Sequence, residues 1–165
     1  MPVVILDNIR STYNVGSIMR TLDAVGGGEL VCVGITPYPD LGEEDDRSPV
    51  VISANSKSIA KTALGAQNSL SISHAPTTQQ AIQRLPSATA IVALEQSIEA
   101  INLFDYELPI AEFALVLGSE TDGLPKAVVS SCDATLEIPQ YGRKESLNVS
   151  VAAGIALYHL SRRTT

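Results

Sequence analysis

Cysteine and histidine are scarce here, two of each in 165 residues. Cys32 and Cys132 lie in separate apolar segments, and neither has a second Cys or His at a metal-ligand spacing. This argues against a zinc site or a disulfide framework, and buried reduced thiols are the expectation. His74 ends a strand-like run and His159 lies in a helix-like one, so neither is set up as the base of a nucleophile. Despite a mean hydropathy of +0.17, no run of about 18 or more apolar residues occurs, which excludes a helical membrane span. The opening Met1-Pro2-Val3-Val4-Ile5-Leu6-Asp7 has no basic leader and reaches an acid early, which predicts a cytoplasmic protein that is not exported. The stretch Asp7 to Tyr13 has no glycine, so the phosphate-cradling loops of dinucleotide and triphosphate binders are missing after the first strand. There is no internal repeat, low-complexity tract or linker, and residues 1–165 read as a single domain.

Net charge is −7 and the isoelectric point is near 4.7, a balance that opposes phosphate binding. The acids are bunched, however. Asp40, Glu43, Glu44, Asp45 and Asp46 form one cluster, seven more acids fall between Glu95 and Asp122, and neither window holds Lys or Arg. Outside these windows six acids stand against eleven bases. Arg10, Arg20, Lys57, Lys61, Arg143, Lys144, Arg162 and Arg163 either gather on one face or are scattered in solvent, and composition alone favours scatter.

Hydrophobic periodicity gives an alternating order of elements. Val3 to Leu6 is a β-branched strand. A helix over about Val15 to Val25 follows, stopped by Gly26-Gly27-Gly28. Glu29 to Gly34 is a second strand, then Pro37, Pro39, Gly42 and the acids mark an exposed loop. A helix is predicted over Asn55 to Leu64, a third strand over Leu70 to His74, and a helix capped by Thr77 or Thr78 and ended by Pro86. Ala90 to Leu94 and Phe113 to Leu117 are continuous apolar runs, as expected of strands buried on both faces of a parallel sheet. Pro125 to Ser131 fits one or two helical turns, Ala134 to Ile138 a sixth strand, and about Leu147 to Leu160 a last helix. The pattern specifies an α/β fold with a mostly parallel six-stranded sheet and helices on both faces.

Ligands of open parallel sheets bind beyond the carboxyl ends of the strands. Three segments at such ends carry reactive side chains. Asn14-Val15-Gly16-Ser17-Ile18-Met19-Arg20 opens the first helix; alone, Asn14 could be a helix cap and Arg20 a solvated residue. Gly118-Ser119-Glu120-Thr121-Asp122-Gly123-Leu124-Pro125 brackets acids with glycines, which suits close approach of backbone to a ligand or a plain turn. After Ile138, the loop with Arg143 and Lys144 enters Ser146-Leu147-Asn148-Val149-Ser150 at a helix start, a setting for anionic groups or a simple cap.

Taken in this order, the Asn-x-Gly-x-x-x-Arg, Gly-x-Glu-x-x-Gly-Leu and Ser-Leu-Asn-Val-Ser segments resemble the SPOUT superfamily of knotted methyltransferases, and within it the SpoU or TrmH family of S-adenosylmethionine-dependent RNA 2′-O-ribose methyltransferases. The resemblance runs over nearly the whole chain. It implies a deep trefoil knot in the last third, a homodimer with a pocket bordered by both protomers, and S-adenosylmethionine as cofactor with no metal. By the same resemblance Arg20 is catalytic, with Asn14, Glu120, Ser146 and Asn148 around it. Backbone near Leu94, Gly118, Gly123, Ile138 and Leu147 is implied to hold the cofactor. Whether Arg20 acts as general base or clamps a phosphate stays open, because a guanidinium with a pKa above about 12 holds its proton. Arg10, Arg47, Lys57, Lys61, Arg143 and Lys144 are the candidate phosphate contacts to a tRNA or rRNA. The alternative is a knotted accessory factor that binds S-adenosylmethionine or RNA without catalysis.

Overall fold

Runs of β-branched and aliphatic residues form the strands, and the side chains of each run divide between two cores. The computed structural model describes residues 1–162. Strands β1 (Val3–Asp7), β2 (Glu29–Val33), β3 (Ser71–Ala75), β4 (Ala90–Leu94), β5 (Ile101–Asn102), β6 (Phe113–Leu117) and β7 (Ala134–Glu137) form one sheet. Its order is β3-β2-β1-β6-β4-β7-β5, and every strand pair is parallel. Helices α1 (Thr12–Ala24), α2 (Pro49–Ala63), α3 (Thr78–Gln83), α4 (Lys126–Val129) and α5 (Val149–Leu160) make the connections.

Period-two alternation assigns the faces. Val4, Leu6, Leu30, Cys32, Val92, Leu115, Leu117 and Leu136 point to the side where Val15, Ile18, Met19 and Leu22 of α1, Ile59 and Ala63 of α2, and Ala153, Ala156, Leu157 and Leu160 of α5 are buried. Ile5, Val31, Val33, Ala93, Ala114 and Val116 point the other way, against Ala81 of α3 and Leu124 and Val128 around α4. Helix α1 packs between α2 and α5. A Cβ on Gly16 would collide with Thr62 Oγ1 and the Ile59 carbonyl oxygen and lie 3.0 Å from Ala63 N, so this glycine permits the α1–α2 contact.

The sheet has seven strands where the sequence pattern gives six. The extra one, β5, has two residues that pair with Leu136 and Glu137 at the sheet edge, too short to carry a period. Helix α2 starts at Pro49, six residues before the expected Asn55. Ser48 caps it, its hydroxyl accepting from Val51 N, and Pro49 occupies the first turn. Val50 and Val51 are exposed there, so that turn shows no apolar stripe. Ser11, not Asn14, caps α1, accepting from Asn14 N at 3.3 Å. Asn14 therefore lies inside the first turn with its side chain uncommitted to capping.

Candidate active site

Strands β6 and β4 insert beside β1 on the side opposite β2, so the sheet changes direction of growth at its centre. Beyond the carboxyl ends of β4, β6 and β7 lies a cavity of about 570 Å³. It is lined by Leu94 to Gln96, Leu117 to Gly123, Glu137, Ile138 and Gln140, and Ser146 to Val149 with Ala152. Those segments contain eight of the residues singled out from the sequence: Leu94, Gly118, Glu120, Gly123, Ile138, Ser146, Leu147 and Asn148.

The 118–124 loop is a tight turn held by its own polar groups. Gly123 N donates to the Ser119 carbonyl at 3.1 Å, and Asp122 N donates to Ser119 Oγ at 3.0 Å. Gly123 adopts φ +65°, a region costly for residues with a Cβ. A Cβ on Gly118 would lie 2.6 Å from Leu124 N, so the two ends of the loop touch backbone to backbone.

Asn14 reaches this loop from α1. Its Nδ2 donates to Glu120 Oε1 at 2.7 Å, and its Oδ1 accepts from Asn148 Nδ2 at 3.2 Å. Asn148 in turn caps α5, its Oδ1 accepting from Ser150 N at 2.9 Å and from Ser150 Oγ at 2.7 Å. The chain of donors runs from Ser150 through Asn148 and Asn14 to Glu120. It joins the three motif segments and gives the ionised carboxylate a charge-assisted bond.

Arg20 is exposed on α1, two turns from Asn14, and does not line the cavity of its own chain. Among the described residues it makes no ion pair. Arg10 stands at the cavity mouth, its backbone N on Glu120 Oε2 at 3.5 Å and its guanidinium 3.8 Å from Asp122. Arg143 and Lys144 are exposed on the loop leading into α5, and Lys57 and Lys61 on the solvent side of α2, away from the cavity lining. Arg163 lies outside the described residues.

Arg47 departs from the expected role. Its Nε and Nη2 donate to the two carboxylate oxygens of Asp45, at 2.8 and 2.5 Å. Its Nη1 and Nη2 also donate to the carbonyls of Tyr38 and Pro39. The guanidinium lies 3.4 Å over the Tyr38 ring, whose other partner is the stacked ring of His74, 4.8 Å away. The Asp45 side chain is 0% exposed and that of Arg47 15%. Arg47 is therefore a strut of the acidic loop, with its donors turned inward. The Arg47 hydrogen bonds hold the Asp45 carboxyl well below the usual carboxylate range, and the same bonds raise Arg47.

Glu95 escaped the sequence reading. It follows Leu94 at the end of β4, and its Oε2 accepts from Leu124 N at 2.7 Å. The only signal was an acid placed at a strand's carboxyl end, which the acidic count of residues 95–122 absorbed. Among the described residues no group of three or more His, Cys, Asp or Glu side chains could hold a metal ion.

The profile of the SpoU rRNA Methylase family matches residues 47–158. The chain belongs to that family. This SpoU methylase chain is 29% identical over 167 residues to YacO of Bacillus subtilis, named for the TrmH family of tRNA/rRNA methyltransferases, covering 97% of this chain and 58% of YacO. The SpoU methylase chain thus spans little more than half of that relative. Among solved structures, it is similar to a TrmH/SpoU tRNA modifying enzyme of A. aeolicus, with a TM-score of 0.76 and 27% identity over 97% of this chain and 73% of that one. It is also similar to an AdoMet-bound rRNA methyltransferase of Sinorhizobium meliloti, with a TM-score of 0.78 and 26% identity over 96% of this chain and 55% of that one.

Proposed function

We propose that this chain is the catalytic domain of an S-adenosylmethionine-dependent RNA 2′-O-ribose methyltransferase. The observation that carries the reading is the linkage of three sequence-distant motifs: two line one cavity, and Asn14 of the third bonds to Glu120 and Asn148 of that lining, in a chain that runs from Ser150 to Glu120. The cavity suits the cofactor on its own terms. Its volume lies in the range of small-ligand sites, about 300–1,000 Å³. Glu95, Glu120, Asp122 and Glu137 line it, and among the described residues no Lys or Arg does. That acidic lining disfavours a phosphate-bearing nucleotide and suits a ligand with cationic sulfonium and ammonium groups.

Backbone near Leu94, Gly118, Gly123, Ile138 and Leu147 would hold adenine and ribose, with Gly118 and Gly123 allowing the loop to fold tightly on itself and on Glu95. When bound, the cofactor supplies an electrophilic methyl group. A ribose hydroxyl is a weak nucleophile, so the protein's contribution is alignment, worth roughly 7–11 kcal/mol in favourable cases. Asn14 keeps Glu120 and Asn148 in register around the reacting centre, and Ser146 closes the pocket. Arg20 clamps the phosphate next to the target ribose through its planar fork, and the hydroxyl proton passes to that phosphate or to water as the oxygen takes the methyl group.

Because Arg20 is exposed and does not line its own cavity, it serves the cavity of a second protomer in this reading. Support comes from α5, which packs on α1 and leaves Val151 and Tyr158 exposed on one side, with Leu147 exposed just before the helix. A homodimer through α1 and α5 covers that stripe. The insertion of β6 and β7 between earlier strands is compatible with the trefoil knot of the SPOUT fold, and we include the knot, a single domain over residues 1–165 and a cytoplasmic location in the proposal. The substrate is tRNA or rRNA, met by Arg10, Lys57, Lys61, Arg143 and Lys144.

Calorimetry and RNA binding test this. S-Adenosylmethionine is expected to bind the chain, and RNA affinity to fall with salt. Replacing Arg143 and Lys144 together by Ala lowers the salt slope by about 1.4, at about 0.7 per single-strand phosphate contact. No cofactor binding, or a slope unchanged by the double variant, contradicts the corresponding part.

A further inference from the structure

Glu95 belongs to none of the three motifs, yet it ties together the three backbone segments expected to cradle the cofactor. Its own N continues the ladder to β7 by donating to the Leu136 carbonyl at 3.0 Å. Its Oε2 accepts from Leu124 N at 2.7 Å, across to the end of the 118–124 loop. Its Oε1 accepts from Gln96 N at 3.0 Å, which fixes the carboxylate plane. The carboxylate lies directly over Gly123, where a Cβ would fall 2.5 Å from Oε2. Gly123 is thus glycine for two reasons, its positive φ and the carboxylate packed against its α-carbon.

We propose that Glu95 is a positioning residue of the cofactor site: its carboxylate latches the 118–124 loop to the end of β4, where its backbone already pairs with β7, and so sets the shape of the cavity floor. A carboxylate suits this work because it accepts two backbone N–H donors at once from fixed directions. Glutamine keeps one acceptor oxygen and turns an NH₂ toward the other donor, while alanine leaves both donors unpaired and the loop untied. The proposal rests on the methyl-donor reading above.

The experiment compares the unmodified chain with Glu95→Ala, Glu95→Gln, Gly123→Ala and the Glu95→Ala/Gly123→Ala double variant. Calorimetry with S-adenosylmethionine is combined with methyl-transfer kinetics at varied cofactor. Glu95→Ala is expected to weaken cofactor binding and raise its KM by tenfold or more, with kcat at saturating cofactor within about twofold. Glu95→Gln is expected to recover part of the affinity. The double variant should be little worse than either single one, since both disturb the same contact. Unchanged cofactor affinity in Glu95→Ala, or in Glu95→Gln should the alanine variant not fold, overturns the assignment. So does a lowered kcat with unchanged KM. Failure of the unmodified chain to bind S-adenosylmethionine overturns the methyl-donor reading itself, and the assignment falls with it.

Discussion

Replacing Arg47 by alanine separates a structural arginine from an RNA-binding one. The substitution removes the countercharge of Asp45, a carboxylate with no exposed side-chain surface, and leaves it only backbone donors at Leu41 and Arg47. Breaking a buried pair from one side costs about 3–5 kcal/mol, and the loss of contact with Tyr38 and two carbonyls acts in the same direction. At this chain length the melting temperature should fall by roughly 10 °C. The pH dependence carries the mechanism. In the native chain the folded Asp45 carboxyl titrates well below its unfolded value of about 3.9 because of Arg47. Its stabilisation is therefore complete above about pH 5 and fades as pH falls through the folded value. In Arg47→Ala, burial without a partner pushes the same carboxyl up, so protonation relieves the variant at mildly acidic pH. Urea denaturation at pH 7 and pH 4 should show a gap that narrows on acidification. A gap below about 1 kcal/mol at pH 7, or one of equal size at both pH values, refutes the reasoning. Weakened RNA binding with unaltered stability would return Arg47 to the phosphate contacts.

Gly16→Ala should destabilise by about 1–3 kcal/mol in thermal or urea unfolding, because backbone of α2 blocks the new methyl and a helix backbone cannot yield as a side-chain tip can. Asn14→Ala and Arg20→Ala should each abolish methyl transfer while calorimetry still registers cofactor binding, since neither side chain lines the cavity; Arg20→Lys should also fail, having lost the planar fork. Burial pushes the Cys32 thiol up to about 12, and burial with the nearby Asp133 raises Cys132 to about 11. At pH 8 a thiol reagent should modify Cys132 far more slowly than a free thiol and reach Cys32 only on unfolding.

The parallel sheet was legible because β4 and β6 are unbroken apolar runs and β1 and β2 divide their residues between two helical layers. Strand β5 was not, since two residues in an acidic connection have no periodicity. The start of α2 was masked by exposed valines, although Ser48-Pro49 holds the local start signal. Within the site, the motif residues were found because their order resembles a family, while Asn14 bonding to Glu120 and Asn148, 106 and 134 residues away, has no local trace. Arg47 and Glu95 mark the same limit from opposite sides. One base looked free but is bound by its neighbours in space, and one acid looked like bulk charge but clasps a loop 29 residues on.

The most direct test is transfer of labelled methyl from S-adenosylmethionine to unmodified tRNA and rRNA, followed by nuclease digestion and nucleoside mass spectrometry. A 2′-O-methylnucleoside that disappears with Arg20→Ala is the expected result. Cofactor binding without methylated product on any RNA, or a methyl group found on a base, would contradict the proposed reaction, and the former would favour a non-catalytic accessory factor.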